Sequence, residues 1–476
     1  MHKIMCRMHQ TKIGFMVFSL SLLSLSYFYG CSKENNLEDD KIIATVNDQY
    51  IVLDDFVKRL ELTPLPGTNK LKRKQKALDI WIDEYLVSQW TQQNQIDKDP
   101  GFNETLELIT KRILIRELFY HEVRALIKPD SLELHEAFIH SLFRNDVVGL
   151  YTEDQFIVDE WKELISSKYS FSDILQKWGN DSRVRIDSAS FHWGDGAVPE
   201  LIEKVAYSIE PGEHSDIINL PQGYGLIFVK NRIQDQFLSR DQIPLKQQTV
   251  ATVFKARMET IHANEYVINL MAGKQVTTKA EGFRELISVL QPYVNGGSIN
   301  ELLISVSPAA SLSLDTEIDR LDIPVVVTPD FTWSIRETIK ILYQYNFPFQ
   351  ESDELRIMKN LVVLLKNAVR DEYLYRKAME LGLNESLPAK KDYGLWRRYL
   401  LYRKGISTYL ADVDPVDRQE AVTTWLNRLR KKAKIRVDDP MLNAVNYTGI
   451  QMLAFWKDDT SPQLAVPPLI DFRNNE

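Results

Sequence analysis

Apolar and polar positions follow the same order of patterns at two places in this chain. The first begins at residues 42–46, an apolar run typical of a strand, followed by a turn at Asn47-Asp48. A second short extended piece at 50–52 leads into a helix that begins near Asp54. This stretch therefore predicts a strand, a tight turn, a return strand and a helix.

The second occurrence lies about 280 residues later and has the same order. Residues 325–327 form the strand, Pro329-Asp330 the turn and 332–333 the return. Ser334 is the predicted N-cap of a helix that continues through Ile341, because a serine hydroxyl can accept a bond from a free amide of the first turn. The chain therefore contains an internal repeat.

Both copies continue and end alike. Each has a long amphipathic helix containing the tetrapeptide D-E-Y-L, at 83–86 and at 371–374. The later elements are further helices at 103–127 and 391–410, closing helices at 257–271 and 421–432, and extended ends at 274–278 and 434–437. We predict that the first and last strands of each copy pair with each other and close a helical module.

The first copy carries an insertion, at about 147–233, that the second lacks. Its pattern predicts a strand at 147–151, helices at 153–166 and 172–178, and then a glycine-containing loop. A helix at 199–208, a turn at 211–213 and an apolar strand at 224–229 follow. This order is typical of a small α/β domain.

The predicted fold is mainly α, with a small inserted α/β domain and two repeated helical modules, each closed by short terminal strands. The predicted divisions are a signal segment (1–30), a tether (31–41), a first module (42–145 and 234–292), the inserted domain (146–233), a linker (293–322), a second module (323–438) and a C-terminal extension (439–476).

The N-terminal residues have the pattern of a secretion signal. Lys3, Arg7 and Lys12 precede an apolar stretch at 13–25 that is short for a membrane span, and no acidic residue interrupts them. The following S-Y-F-Y-G-C, which ends at Cys31, resembles the bacterial lipoprotein signal. That resemblance implies that Cys31 carries lipid and becomes the first residue. An ordinary cleaved signal or an anchor helix is the alternative, and either one exports the protein.

Composition narrows the function classes. The formal charge is −8, and removal of the three cationic signal residues takes it to −11, which disfavours nucleic acid as a partner. The only other cysteine, Cys6, lies in the signal, so a cysteine-based metal or redox site is excluded. Without a phosphate loop or a metal-binding motif, we expect no cofactor and no metal.

The insertion carries a family resemblance. The stretch G-A-V-P-E-L-I-E-K-V-A-Y-S-I-E-P-G-E-H-S-D-I-I at 196–218, followed by Q-G-Y-G-L-I-F-V, resembles the C-terminal half of a parvulin-type peptidyl-prolyl isomerase domain. Together with A-T-V-N-D-Q-Y-I-V-L-D-D-F at 44–56, the chain resembles the SurA and PpiC class of periplasmic foldases. In that class a parvulin domain interrupts a helical chaperone module. The resemblance covers about 42–278, and the second copy is similar to a further chaperone module.

The polar positions of the isomerase pattern are missing. By the resemblance, the first-strand histidine falls at Val148, the acidic or thiol position at Ser188, and the closing-strand histidine at Gly225. If the register differs by one residue, Asp187 takes the acidic position. We therefore expect a degenerate isomerase site with weak or no activity; a divergent active domain that uses Asp187 is the alternative.

Other side chains are candidates for binding peptide. In the insertion these are Ala197 and Leu201, which replace a common methionine and phenylalanine, and Tyr224. In the second copy four aromatic residues crowd one connection, and either peptide binding or core packing explains them: Tyr343, Tyr345, Phe347 and Phe349. For Trp396, Tyr399 and Tyr402 we favour core packing. We interpret His192 as a surface or satisfied histidine and His214 as part of a solvated turn.

Three functions remain open at this point. The first is a lipid-anchored chaperone of the bacterial cell envelope that binds unfolded exported polypeptides, such as outer-membrane or surface proteins. The second is an active prolyl isomerase of the same architecture, and the third is a structural lipoprotein of an outer-membrane assembly complex. Ser32 after Cys31 favours the outer membrane, and the acidic tether leaves both the periplasmic face and the cell surface open.

Overall fold

The computed structural model describes residues 41–63, 65, 69–294, 320–345, 347, 354–448, 455–456, 463–464 and 466–473. Cys31, the rest of the signal and tether up to residue 40, and Phe349 lie outside the described residues. In the part of the chain that is described, no helix is long and apolar enough to cross a membrane.

The first copy begins with the predicted hairpin and continues as long helices. Its elements up to the insertion are β1 (Ile42–Val46), β2 (Gln49–Val52), α1 (Leu53–Leu62), α2 (Lys70–Gln93), α3 (Pro100–Glu122) and α4 (Ser131–His140). After the insertion come α8 (Gln242–Met271), β7 (Thr277–Thr278) and α9 (Ala280–Val294). Asn47 adopts a positive φ of 53° in the hairpin turn, a conformation that asparagine tolerates better than most residues.

The insertion forms one four-stranded antiparallel sheet in the order β4-β3-β6-β5. Its elements are β3 (Phe143–Thr152), α5 (Gln155–Ser166), α6 (Phe171–Trp178), β4 (Arg185–His192), α7 (Glu200–Ser208), β5 (Ile218–Leu220) and β6 (Gly223–Gln234). One face packs on α5 and α6 around Leu150, Trp161 and Leu226. The other face packs on α7 around Val147 and Ile227.

The second copy repeats the first without an insertion. Its elements are β8 (Pro324–Val327), β9 (Thr332–Ser334), α10 (Ile335–Gln344), α11 (Glu354–Glu380), α12 (Leu387–Tyr409), α13 (Arg418–Lys432) and β10 (Ile435–Val437). The extension adds α14 (Asp439–Ala444) and the short strands β11 (Phe455–Trp456) and β12 (Gln463–Leu464), which pair with each other. Ser334 is confirmed as the N-cap of α10, because it forms a reciprocal capping box with Glu337.

The two copies exchange their closing strands. β1 pairs with β2 and with β10 of the second copy, with Ala44 opposite Val437. β8 pairs with β9 and with β7 of the first copy, with Thr278 opposite Val326. The mainly α fold with a small α/β insertion is confirmed. The prediction that each copy pairs its own first and last strands is wrong, because both closing strands belong to the other copy's sheet.

Helix packing follows the same exchange and produces two lobes. In the first lobe, α2 of the first copy packs against α12 and α13 of the second. In the second lobe, α11 of the second copy packs against α8 of the first, and β8 contacts α9. The first-lobe core includes Ile43, Trp81 and Leu429, and the second-lobe core includes Leu270, Val325 and Leu361.

Long helices explain why the strands are exchanged. A helix of 23 residues such as α3 or α12 spans about 34 Å, at 1.5 Å per residue. The two helices pack against each other between the lobes, where Ile113 and Ala389 share a small core. Each therefore carries its chain away from its own hairpin, and the closing strand pairs with the hairpin that lies near it.

Candidate functional site

Two of the predicted isomerase positions lie side by side in the inserted sheet. Val148 on β3 is the register partner of Ser188 on β4, and Phe228 of β6 lies opposite Val148 on its other side. Val148 and Phe228 pack on the core formed with α5 and α6. Because side chains alternate between the two faces of a strand, Ser188 belongs to that same face.

The other positions belong to the opposite face. Gly225 is the register partner of Tyr151, and Asp187 is the partner of Gly149; Tyr151 packs on the core under α7. Val148, Ser188 and Gly225 therefore do not form one site. Asp187 and Gly225 share a face, which corresponds to the alternative register that differs by one residue.

Tyr151, which sequence reasoning missed, dominates this second face. A Cβ atom on Gly149 would meet the Tyr151 hydroxyl, and one on Gly225 would lie 3.3 Å from the edge of the ring. The Arg185 guanidinium lies 4.9 Å from the ring centroid, and its Nε donates to Asp187 Oδ2 at 2.8 Å. The sequence signal for this ring is the spacing G-x-Y at 149–151. Gly149, together with Gly225 on the neighbouring strand, leaves space for the large Tyr151 ring.

The chemistry of this face does not favour proton transfer. Burial, reinforced by the nearby Asp187 carboxylate, raises the pKa of the Tyr151 phenol, so the phenol stays protonated at neutral pH. Asp187 is exposed and bonded to Arg185. Among the described residues, no group of three or more His, Cys, Asp and Glu side chains is arranged to hold a metal ion.

The two histidines of the insertion have local partners. A ring nitrogen of His214 lies 2.8 Å from the carbonyl oxygen of Ser215 and donates to it. His192 Nε2 lies 2.7 Å from Asp235 Oδ1, and the bond between them lowers the pKa of the Asp235 carboxyl. Neither contact involves an activated hydroxyl, and the contact of His192 agrees with its interpretation as a satisfied histidine.

The predicted peptide-binding residues of the insertion are not gathered in one place. Ala197 is exposed just before α7, and Leu201 is 43% exposed in its first turn. Tyr224 shares its strand face with Phe228, and its hydroxyl donates to Gln155 Oε1 of α5 at 2.8 Å. Tyr224 therefore lies on the side of the sheet opposite α7.

The aromatic residues of the second copy have different environments. Tyr343 is 45% exposed, whereas Phe347 is 5% exposed and packs in the second-lobe core. The Tyr345 hydroxyl donates to Asp371 Oδ2 at 2.6 Å. Phe347 therefore packs in the core, which is one of the two explanations that the sequence left open for it. Tyr399 and Tyr402 are buried, as the core-packing interpretation requires.

A half-open groove lies in the first lobe, between elements of both copies. Its cavity volume is about 410 Å³, and β2, α1 and α2 form one side while α12 forms the other. The apolar part of its lining includes Ile51, Trp81, Tyr85, Leu395 and Val466. Arg398 stacks over the Tyr85 ring at 3.8 Å, which extends the flat floor.

Residues 466–473, called the strap here, adjoin the groove, because Val466 is part of its lining. Val466 and Leu469 of the strap are buried, and Leu469 is part of the first-lobe core. Phe472 packs against Tyr402, with ring centroids 5.2 Å apart. The C-terminal extension thus contributes buried side chains to the first lobe.

One buried arginine holds the main chain of the strap. The Arg59 Nε donates to the Pro467 carbonyl at 3.0 Å, and Nη2 donates to the Pro468 carbonyl at 3.0 Å. The same guanidinium makes two bonds to the Glu84 carboxylate, at 3.1 and 2.6 Å, and lies 5.0 Å from the Trp81 ring centroid. Arg59 and Glu84 are both fully buried, so this pairing offsets the cost of burying their charges.

Comparisons with known proteins give limited overlap. No family model matches the chain, and no curated protein matches its sequence. Among solved structures, a Campylobacter jejuni chain from the SurA-like chaperones PEB4 and Cj1289 is 15% identical, with a TM-score of 0.23. The match covers 50% of this chain and 100% of that one.

Foldases of other bacteria overlap over a similar length. The peptidylprolyl isomerase PrsA of Bacillus cereus is 14% identical with a TM-score of 0.20, and the match covers 48% of this chain and 92% of that one. PrsA of Bacillus subtilis is 13% identical with a TM-score of 0.17, over 48% and 91%. With TM-scores this low, none of these overlaps carries an argument about fold or function.

Proposed function

We propose that this protein is a cell-envelope chaperone of the SurA and PrsA type, which binds apolar segments of unfolded exported polypeptides. The observation that carries the proposal is the exposed apolar surface of its long helices. The exchanged architecture leaves α8 with a single buried residue, Val250, among its 30 residues. A soluble helix of that length normally buries a whole stripe.

Apolar side chains line the exposed parts of two neighbouring helices. Ile261 and Ile268 of α8 are 44% and 68% exposed, and they lie seven residues apart on one stripe. Leu355 and Val362 of α11, at 68% and 54%, have the same spacing. Because α8 and α11 pack against each other, both stripes belong to one pair of helices. Chaperones that accept many sequences use adaptable apolar surface of this kind.

We further propose that the inserted domain is not an active isomerase. Catalysis of X-Pro rotation has to lower a barrier of about 20 kcal/mol by favouring the twisted amide. Val148, Ser188 and Gly225 supply no titratable side chain, and they lie on two faces of the sheet. Asp187 alone has charge, and Arg185 neutralises it. Turnover of a panel of proline peptides above the uncatalysed rate would contradict this assignment.

We also propose where the protein acts, which is at the membrane to which a lipid on Cys31 anchors it. Cys31 would be acylated and would anchor the body, most simply to the outer membrane, since Ser32 follows it. A Cys31→Ser variant should then move from the membrane fraction to the soluble fraction of fractionated cells. An ordinary cleaved signal predicts that both forms are soluble. Protease treatment of intact cells distinguishes the cell surface from the periplasmic face.

Suppression of aggregation tests the chaperone assignment. The body from residue 41 onward should keep an unfolded outer-membrane protein soluble at a near-equimolar ratio. The double variant Ile261→Gln, Ile268→Gln should lose at least half of that suppression, since glutamine keeps the helix and removes the apolar stripe. Val416→Ser is the matched control, because Val416 is 89% exposed in a turn outside the stripes.

Equal suppression by the stripe variant and the control would move client binding away from α8. Absence of suppression by every form would reject the chaperone and favour the structural lipoprotein, which binds folded partners. Co-purification from solubilised membranes with a stoichiometric set of outer-membrane proteins would then be the expected result.

A further inference from the structure

We propose that the first-lobe groove is a binding site for extended, proline-containing apolar polypeptide segments, and that the strap occupies it as an intramolecular competitor. This inference rests on the proposed function, because it takes unfolded polypeptides as clients. It adds a second binding site, separate from the stripes on α8 and α11, and a device within the chain that controls access to it.

The spacing of the strap's anchors indicates what kind of ligand the groove accepts. Val466, Leu469 and Phe472 recur at every third residue and pack into the lobe, together with the buried Pro467. Pro467 and Pro468 lie between the first two anchors. A repeat of three residues around a proline pair is the period of a polyproline II segment, which proteins recognise with aromatic-lined grooves. Trp81 and Tyr402 supply aromatic rings here.

The bonds to the strap reach mainly its backbone. Side chains of the lobe donate to three strap carbonyls, those of Pro467, Pro468 and Ile470; the last accepts from the Tyr402 hydroxyl at 3.2 Å. Every polypeptide carries such carbonyls, so these bonds do not depend on the strap's own sequence. The groove therefore recognises main-chain carbonyls and apolar anchors rather than one sequence.

The groove extends beyond the strap. Val466 forms one end of the half-open cleft of about 410 Å³, and the rest of the floor is Ile51, Trp81, Tyr85 and Leu395. This cleft gives an incoming segment a place to bind before the strap leaves. A client that gains the cleft as well as the channel makes apolar contacts additional to those of the strap, which favours exchange.

The strap lowers the apparent affinity of the groove for any client. Only the fraction of molecules with an open groove is competent to bind in the strap's channel, so the apparent dissociation constant rises as that fraction falls. Salt bridges Lys76–Asp471 and Arg473–Asp83 close the end of the strap over α2. Loss of covalent attachment should therefore increase exchange with clients.

The test cuts the chain without removing the strap. A protease site is placed within residues 457–462 of the body, and the cut protein is compared with the uncut protein. The probe is a fluorescent peptide with the sequence of residues 463–473, followed by anisotropy. We expect the cut protein to bind the probe at least about tenfold more tightly than the uncut protein, because the released strap is diluted.

Matched peptides define the chemistry. The probe with Leu469→Asp should bind at least about tenfold more weakly, since one buried leucine accounts for that factor. An unrelated peptide with a proline pair and apolar residues at the same spacing should displace the probe, and a scrambled version should not. Val416→Ser should behave as the parent protein.

Failure of this inference is distinguishable from failure of the proposed function. Suppression of client aggregation without any probe binding by the folded, cut protein overturns the groove proposal and leaves the chaperone standing. Binding of the probe without suppression of client aggregation overturns the chaperone assignment and leaves the groove as a peptide-binding site. If the cut protein loses its fold by circular dichroism, the uncut Phe472→Ala variant, which loosens one anchor only, takes its place. Its affinity for the probe should exceed that of the parent, and equal affinity would overturn the proposal.

Discussion

At the scale of single residues, a glycine determines how closely the two copies approach. Gly405 of α12 lies against α2, and a Cβ atom at this position would overlap Thr91 Oγ1 and Val87 Cγ1. Thr91 Oγ1 also donates to the Leu401 carbonyl at 3.1 Å, so the threonine cannot rotate away without losing a buried bond between the copies. This contact exists only because the helices of different copies pack together.

Gly405→Ala should therefore destabilise the protein by about 1–3 kcal/mol, the usual cost of an added methyl in a packed interface. Gly394→Ala in the same helix is the control. A Cβ atom there meets nothing within 4 Å, so alanine should be neutral or stabilise by about 0.5–1 kcal/mol. Urea unfolding measures both changes. Equal effects of the two variants would contradict the close packing of α2 and α12.

A histidine connects the helical module to the insertion and makes this junction sensitive to pH. His140 at the end of α4 stacks on Tyr207 of α7, with ring centroids 4.5 Å apart. Burial, and then the nearby Arg232, lower the pKa of His140 below its usual value. Because the folded state favours the neutral imidazole, His140 contributes to the free energy of unfolding. This contribution is fully present above pH 6.5 and is lost as the pH falls through the folded-state pKa.

His140→Phe keeps the stacking and cannot titrate. Between pH 7.5 and 5.5 the parent protein should therefore lose more unfolding free energy than the variant does. The measurement is urea unfolding at both pH values, with the difference between the proteins isolating His140 from the other histidines. Parallel pH profiles for the two proteins would contradict the assigned direction.

Residue identity alone did not reveal residue roles. The repeated D-E-Y-L has the same helical position in both copies, yet Glu84 is fully buried against Arg59 while Glu372 pairs with Lys111 near the surface. Similarly, the resemblance places the isomerase positions only to within one residue, and a one-residue change of register moves a side chain to the other face of a strand. The sequence therefore narrows the acidic position to Asp187 or Ser188 but does not determine which of these side chains lies on the α7 face of the sheet.

At the scale of elements, local patterns predicted most of the order. The bounds of β1 agree with the prediction, and α10 begins after Ser334 as expected. The predicted glycine loop of the insertion contains β4, whose sequence R-I-D-S-A-S-F-H is too polar to read as a strand. The closing helix of the first copy begins at Gln242 rather than 257, because its first turns bury almost nothing and show no apolar stripe.

Engineered disulfides test which strands pair. Asn47 N donates to Lys434 O at 2.8 Å, and Asp438 N donates to Ile43 O at 3.0 Å. Ala44 and Val437 lie opposite each other between these bonds and are therefore a non-hydrogen-bonded pair, the kind with the shorter Cα–Cα distance. Such a pair has a Cα separation suited to a disulfide. Cysteines at both positions of the body, which has no cysteine of its own, should crosslink within one chain and shift mobility on a non-reducing gel.

The matched comparison places the second cysteine at Thr278 instead of Val437. Pairing within the first copy would bring Ala44 and Thr278 together, whereas the exchanged sheets separate them because Thr278 pairs with Val326. Rapid crosslinking of Ala44→Cys with Thr278→Cys, and not with Val437→Cys, would reject the exchange.

At the scale of the whole molecule, the exchange could not be read from the sequence. Both closing strands carry similar short extended patterns, and either pairing satisfies each hairpin equally well. The choice depends on the direction in which α3 and α12 carry the chain, a property of long-range packing that no local window contains. The same limit applies to the strap, since the period of residues 466–473 does not show which part of the chain they pack against, and Arg59 and Tyr402 meet them from distant parts of the chain.

Because each lobe takes elements from both copies, neither copy should fold alone. Residues 41–294 and 320–473, produced as separate chains, should each have an unfolded helical module or aggregate, since β1 would lack β10 and β8 would lack β7. Mixed or produced together, they should form a 1:1 complex with the circular dichroism and thermal unfolding of the intact body, at a transition that depends on concentration. Analytical ultracentrifugation gives the stoichiometry. A monomeric, cooperatively unfolding 41–294 fragment would show that the first copy closes on itself, and the whole architecture of exchanged lobes would have to be abandoned.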